Sequence, residues 1–327
     1  MKELISRFPD NIHQAVEIAK NNPLIVPKKD IENIVLCGLG GSGIGGKIIE
    51  NWTSEALQVP CVCVSEYNIP SFVGPNTLFI GTSYSGNTEE TLYSLKEAKS
   101  RGAVVVGITS GGALEQFCKE NTYNYILIPG GNPPRSALAF SLVQLLHVLE
   151  SFNLIADTHI NSMTSAAELL ENNQEEIHNS AQNIAKHLFG KVGIYYSETK
   201  YEGVVVRARQ QFNENSKFLG WHHVIPEMNH NELVGWTGGD KRFAPVFLDA
   251  SDIFERNRRR FEITRKAVEE KTGSVFTLQA KGKDLVERSL YFIHVLDWAS
   301  FYLCEMNQAD IMDIAIIDYL KGELSKA

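Results

Sequence analysis

A short segment rich in hydroxyl side chains follows an apolar run in the first third of the sequence. Residues 83–88 read Ser-Tyr-Ser-Gly-Asn-Thr and precede a polar, helix-forming stretch. Ser83, Ser85 and Thr88 can each donate a hydrogen bond to one phosphate group, and the first N–H groups of the following helix can add further donors. One hydroxyl could instead serve as an ordinary helix N-cap. Because capping needs only one hydroxyl and the segment has three, the pattern favours a phosphate-binding loop.

A glycine-rich turn, GLGGSGIGG, follows an earlier apolar run. Gly38, Gly40 and Gly43 match the G-x-G-x-x-G fingerprint of dinucleotide-binding proteins, and Glu66 lies near the position of a ribose-binding acid. An NAD-dependent dehydrogenase is therefore one alternative. The glycines themselves are less specific, because they let the backbone approach any phosphorylated ligand, and the Ser42 hydroxyl can bind a sugar.

Histidines and cysteines give little support for a metal site. His222, His223 and His230 lie near Glu227, but adjacent histidines in a strand point to opposite faces and cannot chelate one ion together. The five cysteines include no C-x-x-C pair, which argues against a disulfide framework or a thiolate zinc site. We expect no metal.

The elements that must position these groups alternate between short apolar strands and helices. This alternation predicts parallel sheets covered by helices on both faces. The predicted strands are residues 33–37, 77–83, 103–110, 123–130, 191–197, 222–226, 244–250 and 274–280. A polar, helix-prone stretch over 161–189 separates the two sets. The sequence therefore predicts an α/β fold with two doubly wound domains, residues 1–155 and 156–327.

Composition excludes several classes of partner. The 327 residues carry 31 Lys and Arg against 39 Asp and Glu, a formal charge of −8, which repels nucleic acid. Apolar runs stay short of the ~20 residues of a membrane span. We expect a soluble, cytoplasmic protein that binds neither nucleic acid nor membranes.

Several motifs resemble those of one known family. Residues 83–91 are similar to the phosphate loop of the sugar isomerase (SIS) domain, and Gly40-Gly41-Ser42 resembles the other sugar-contacting turn of that domain. Further segments are similar to the bifunctional phosphoglucose/phosphomannose isomerases, in order over almost the whole chain. They are PPRS (133–136), QFNENSK (211–217), PEMNHNE (226–232) and DYLK (318–321).

The resemblance implies an enzyme without a cofactor that converts an aldose 6-phosphate to a ketose 6-phosphate through a cis-enediol. This reaction needs a carboxylate to move a proton between C2 and C1. The residues alone leave that base open among Glu198, Glu202, Glu214, Glu227 and Glu232. The resemblance selects Glu214, whose flanking amides could hold the carboxylate.

The remaining roles also come from the resemblance. His230 would open the sugar ring, acting from the neighbouring subunit of a homodimer with a shared active site. Arg135 would neutralise the enediolate, and Lys321 would assist at the ring oxygen. Surface roles are the alternatives for all three residues. The substrate-binding residues would be Gly41, Ser42, Ser83, Ser85 and Thr88.

Two further functions are therefore considered beside an NAD-dependent dehydrogenase. The first is an isomerase that interconverts glucose 6-phosphate or mannose 6-phosphate with fructose 6-phosphate. The second is a non-catalytic protein that only binds a sugar phosphate, as some SIS domains do. Because Glu214, His230 and Arg135 occur together, the isomerase is favoured.

Overall fold

The first half of the chain forms a parallel five-stranded sheet. The structure is a computed structural model that describes residues 1–156, 158–324 and 326. The strands are β1 (Asn33–Cys37), β2 (Cys61–Val64), β3 (Thr77–Ser83), β4 (Val104–Thr109) and β5 (Asn124–Leu127). Their order is β2-β1-β3-β4-β5. The strand order therefore reverses between β1 and β3, and ligands of open α/β sheets bind at the carboxyl ends of strands at such a point.

The second half forms a parallel four-stranded sheet of similar design. Its strands are β6 (Val192–Glu198), β7 (Gly220–Ile225), β8 (Phe243–Asp249) and β9 (Phe276–Gln279). Their order is β7-β6-β8-β9, so this sheet reverses between β6 and β8.

Helices cover both sheets. They are α1 (Lys2–Ser6), α2 (Phe8–Lys20), α3 (Gly40–Thr53), α4 (Glu89–Ser100), α5 (Gly112–Glu120), α6 (Leu138–Ser151), α7 (His159–Asn172), α8 (Gln174–Leu188), α9 (Glu202–Ser216), α10 (Glu232–Gly235), α11 (Glu255–Thr272), α12 (Leu285–Met306) and α13 (Ala315–Leu324). Short 3₁₀ turns occupy Pro134–Ser136, Thr199–Tyr201, Glu227–His230 and Trp236–Gly238.

The predicted fold class is confirmed, and each predicted strand overlaps a strand of the structure. The prediction over 123–130 was too long, because β5 ends at Leu127 and the chain then enters a Pro- and Gly-rich turn that cannot continue the ladder. The polar stretch over 161–189 is helical, as predicted, and forms most of α7 and α8.

A central layer of helices joins the two sheets. Helix α12 is buried on nearly every side and packs against α7, α8 and α9. Helix α9 also packs against α3, whose first residue follows the end of β1 closely. This α3–α9 contact brings one end of a helix from the second half to the carboxyl edge of the first sheet.

Candidate active site

The hydroxyl-rich loop, residues 83–88, lies at the carboxyl end of β3. The Ser83 and Thr88 hydroxyl oxygens are 2.8 Å apart, and the Asn87 N–H donates to Ser85 Oγ at 3.2 Å. Thr88 stands at the N-cap position of α4, yet within the described residues no side chain caps this helix. The simple capping interpretation is therefore wrong, and the first turn of α4 remains open to an anion.

Gly86 allows this loop to close. Its φ of +71° is a left-handed conformation, and a Cβ atom there would lie 1.8 Å from the carbonyl oxygen of Gly111. The neighbouring Asn87 accepts a hydrogen bond from the N–H of Ala113 at 3.1 Å. The loop is therefore held from behind by the turn that follows β4.

The glycine-rich turn after β1 contacts two other parts of the site. The Tyr84 N–H donates to Ser42 Oγ at 3.0 Å, which ties this turn to the hydroxyl-rich loop. A Cβ atom on Gly41 would lie 3.0 Å from the carbonyl carbon of Pro134 and 3.1 Å from the nitrogen of Arg135. Position 41 thus requires glycine, because the backbone of the Pro134–Ser136 turn occupies the space that a larger side chain would need.

Arg135 lies on that turn and is only 4% exposed. Its Nη1 donates to Glu214 Oε2 at 3.3 Å, its Nε to Asn215 Oδ1 at 2.9 Å, and its Nη2 to the carbonyl of Ile311 at 2.7 Å. Burial lowers the pKa of the guanidinium and the Glu214 carboxylate opposes that shift. A surface arginine at a helix start, the alternative for this residue, is excluded.

Glu214 lies in the last turn of α9, and 31% of its side chain remains exposed. The expectation that its flanking amides hold the carboxylate is wrong. Asn215 bonds to Arg135 and to Ser300 instead, and the Asn213 amide, oriented to use its N–H groups, donates to carbonyls of its own helix and the following loop. Arg135 therefore replaces the amides as the partner that orients Glu214.

A buried network that the sequence did not reveal lies behind Arg135. Arg207 Nη2 donates to Asp297 Oδ2 at 2.7 Å and to the carbonyl oxygen of Arg135 at 3.1 Å. Asn215 Nδ2 donates to Ser300 Oγ at 2.9 Å, and Ser300 Oγ donates to the Asp297 carbonyl at 2.7 Å. The network joins α9, α12 and the Arg135 turn. Its clearest sequence signal is the presence of Asp297 and Ser300 within the largely apolar α12, whereas α9 is polar along much of its length.

The structure does not bring His230 to Glu214 within one chain. His230 is exposed and follows the carboxyl end of β7, whereas Glu214 lies near the amino end of that strand. The six residues of β7 span about 17 Å, at ~3.3 Å per residue. The neighbouring Asn231 accepts a hydrogen bond from the N–H of Glu232 and so caps α10.

Lys321 lies on α13, where none of the residues is buried. The segment just before α13 contacts the site, because the Ile311 carbonyl accepts from Arg135. Across the described residues, His, Cys, Asp and Glu form no group of three or more that could hold a metal ion. Nor does any helix in the described part of the chain have the length and apolar character needed to cross a membrane.

Comparisons with known proteins match this architecture. Residues 29–152 match the model of the SIS domain, and residues 177–324 match that of the bacterial phospho-glucose isomerase C-terminal SIS domain. The C-terminal domain of glucosamine-fructose-6-phosphate aminotransferase from Francisella tularensis superposes with a TM-score of 0.76 at 15% identity, over 95% of this chain and 96% of that one. Fold and site thus define a protein built from SIS domains.

Two curated relatives narrow the class. A bifunctional phosphoglucose/phosphomannose isomerase of Caldicellulosiruptor bescii is 33% identical over 100% of this chain and 99% of its own length. Another, from Thermoplasma acidophilum, is 35% identical over 90% of each chain. The chain belongs to the bifunctional phosphoglucose/phosphomannose isomerase family.

Proposed function

We propose that this protein interconverts glucose 6-phosphate or mannose 6-phosphate with fructose 6-phosphate through a cis-enediol. The observation that carries the proposal is the contact between the buried Arg135 guanidinium and the partly exposed Glu214 carboxylate, at 3.3 Å. This pair is tied through Gly41 and Ser42 to the hydroxyl-rich loop. A phosphate anchor, a carboxylate and a fixed cation are the groups that the reaction requires.

The proposed reaction begins with the substrate phosphate on Ser83, Ser85, Thr88 and the first N–H groups of α4. After ring opening, Glu214 removes the proton from C2, and the electron pair forms the C1–C2 double bond while the C1 carbonyl oxygen becomes negative. Arg135 stabilises that charge. A proton then passes from the C2 hydroxyl to the C1 oxygen, and as Glu214 returns its proton to C1 the C2 oxygen becomes the carbonyl of the ketose. Oxidation at C2 balances reduction at C1, so the reaction needs no cofactor.

Both aldose epimers lead to the same enediol, which explains how one site can serve two substrates. The two C2 protons point to opposite faces of the open chain. A rotation about the C2–C3 bond presents either proton to Glu214 while the phosphate stays bound.

A coupled assay on glucose 6-phosphate and mannose 6-phosphate tests this proposal. Glu214→Gln should lower kcat by about 10²–10⁴-fold, since an amide cannot accept the proton. Glu175→Gln, at an exposed glutamate of α8, is the matched control and should keep full activity. Full activity of Glu214→Gln would remove the base assignment. Sugar phosphate binding without any turnover of the native protein would indicate the non-catalytic alternative.

We further propose a homodimer in which the partner subunit's His230 opens the sugar ring at each site. Within one chain His230 lies far from Glu214, and this separation supports a site in which the histidine comes from the other subunit. Helix α13 supports a partner as well, because it leaves the apolar side chains of Ile316, Tyr319 and Leu320 exposed. Lys321 on the same helix would assist at the ring oxygen.

Mixed dimers test the shared site. Glu214→Gln and His230→Gln homodimers should each be nearly inactive. After dissociation and random reassociation, half of the dimers are mixed, and one of the two sites in each mixed dimer is intact. About a quarter of the native activity should therefore return. No recovery, in a mixture shown to contain mixed dimers, would place His230 in its own subunit's site.

We propose that residues 1–155 and 156–327 are the two domains of the chain. Each parallel sheet lies within one of these segments. Limited proteolysis near residue 155, followed by separate expression of both segments, would test the boundary.

A further inference from the structure

A polar cavity lies next to the hydroxyl-rich loop. Its volume is about 220 Å³, and Tyr84 contributes to its wall. Tyr84 stands between Ser83 and Ser85 in the sequence. The cavity is separate from the site assigned to the substrate phosphate, because its lining residues include none of Ser83, Ser85, Thr88, Arg135 and Glu214.

The cavity is lined by hydrogen-bond donors that are not in use. Within the described residues, the side chains of Arg7, Asn11, Gln14 and Asn132 have no hydrogen-bond or ion-pair partner. Tyr84 is only 9% exposed, and its hydroxyl oxygen accepts from the Asn132 N–H at 3.0 Å. The hydroxyl proton of Tyr84 is thus still available, and burying such a donor without an acceptor is unfavourable.

The charge of the lining selects the ligand. Arg7 carries the one charge among the lining residues, and no carboxylate lines the cavity. The other polar groups are amides and hydroxyls, which can donate to oxygen atoms. Such a set is typical of a site for an oxyanion, because a guanidinium binds phosphate and carboxylate oxygens through charge-assisted hydrogen bonds.

We propose that this cavity, between the α1–α2 junction and the Arg135 turn, binds a small oxyanion, either a phosphate or a carboxylate, in addition to the substrate phosphate. Arg7 supplies the charge, and the Tyr84 hydroxyl and the three amides supply the other donors. The Tyr84 N–H holds Ser42, so a bound anion contacts the same residue that orders the sugar-contacting turn. The proposal does not depend on the isomerase activity, because it involves none of the groups assigned to catalysis.

Calorimetric titration of the full chain with inorganic phosphate tests this proposal. The native protein should bind two phosphates per chain, one in the hydroxyl-rich loop and one in the cavity. Arg7→Gln should weaken one of the two by about tenfold or more, as expected on losing a charge-assisted hydrogen bond. Arg256→Gln, at another exposed arginine without a partner in the described chain, is the matched control and should leave both intact.

Two further measurements separate the sites and the ligands. Ser83→Ala with Thr88→Ala should remove the loop phosphate and retain the phosphate that depends on Arg7. Titration with malonate in the same double variant shows whether carboxylates are accepted as well as phosphate. A titration of Arg7→Gln identical to that of Arg256→Gln would overturn the proposal. If neither the native protein nor Arg7→Gln turned over glucose 6-phosphate, that result would count against the isomerase proposal alone.

Discussion

Replacing Arg207 should destabilise the protein and disturb the site together. Arg207 and Asp297 are 3% and 5% exposed, and their 2.7 Å contact lies between α9 and α12. Removing one partner of a buried ion pair costs about 3–5 kcal/mol, because the other charge is left without compensation. In Arg207→Leu the carbonyl of Arg135 also loses its donor, a contribution of about 1 kcal/mol. Burial raises the pKa of Asp297, so protonation of this carboxylate limits the loss.

Urea unfolding of three variants measures the coupling. We expect Arg207→Leu and Asp297→Leu each to lower the free energy of unfolding by about 3–5 kcal/mol. The double variant should lose less than either single variant, because it leaves no unpaired charge. Additive losses, in the range of 6–10 kcal/mol for the double variant, would show that the pair does not interact and would refute the reasoning.

The same variants report on the site. The Arg135 turn packs against Gly41 and is held from behind by Arg207. Loss of that support should lower kcat more than it raises KM, since in the proposed mechanism the guanidinium of Arg135 stabilises charge that forms during the reaction. The hydroxyl-rich loop, which is proposed to bind the substrate phosphate, lacks this contact, so KM should change little. A rise in KM with unchanged kcat would contradict this account.

Three further variants test other parts of the structure. Gly86→Ala should raise KM for glucose 6-phosphate by about tenfold or more, because strain of about 1–3 kcal/mol opposes the φ of +71° and the added methyl meets the Gly111 carbonyl. Gly41→Ala should lower kcat by about 10–100-fold, since the methyl group displaces the Arg135 turn by contact at 3.0 Å; a normal kcat would contradict the assigned packing. Burial lowers the pKa of His294 to about 3 in the folded protein, against 6.5 for an ordinary histidine. Below pH 6.5 the unfolded chain therefore binds a proton that the folded protein does not, and the stability that is present above pH 6.5 is lost as the pH falls. The free energy of unfolding should drop by about 2 kcal/mol more between pH 7 and pH 5 in the native protein than in His294→Leu, as measured by urea titration.

The strands and the loops that follow them could be predicted because their signals are local. A run such as TLFIGTS is β-branched and apolar and ends in a polar turn, and β3 occupies the same residues. The right-handed crossover rule for parallel strands restricts the possible strand orders but does not select one of them. Parallel packing then places the turns after β1 and β3 at one edge of the sheet. This much of the site follows from the sequence.

The contact between Arg135 and Glu214 could not be predicted from the residues themselves. The two are 79 positions apart, in different halves of the chain. Their approach depends on how α9 packs against α3 and α12, which is a property of the whole helical layer. The role of Asn215 was missed for the same reason, because its partners Arg135 and Ser300 come from distant segments.

The direction of α9 explains why the second sheet contributes to a site at the edge of the first. The helix begins after β6 and ends at Ser216, a length of about 22 Å at ~1.5 Å per residue. It therefore carries Glu214 away from the carboxyl edge of its own sheet and places it beside Arg135. The Glu227–His230 turn stays at that carboxyl edge, which opens away from Glu214. In the proposed homodimer, a twofold axis would bring the partner's His230 to Glu214 if each chain presents this edge to the Arg135 turn of the other.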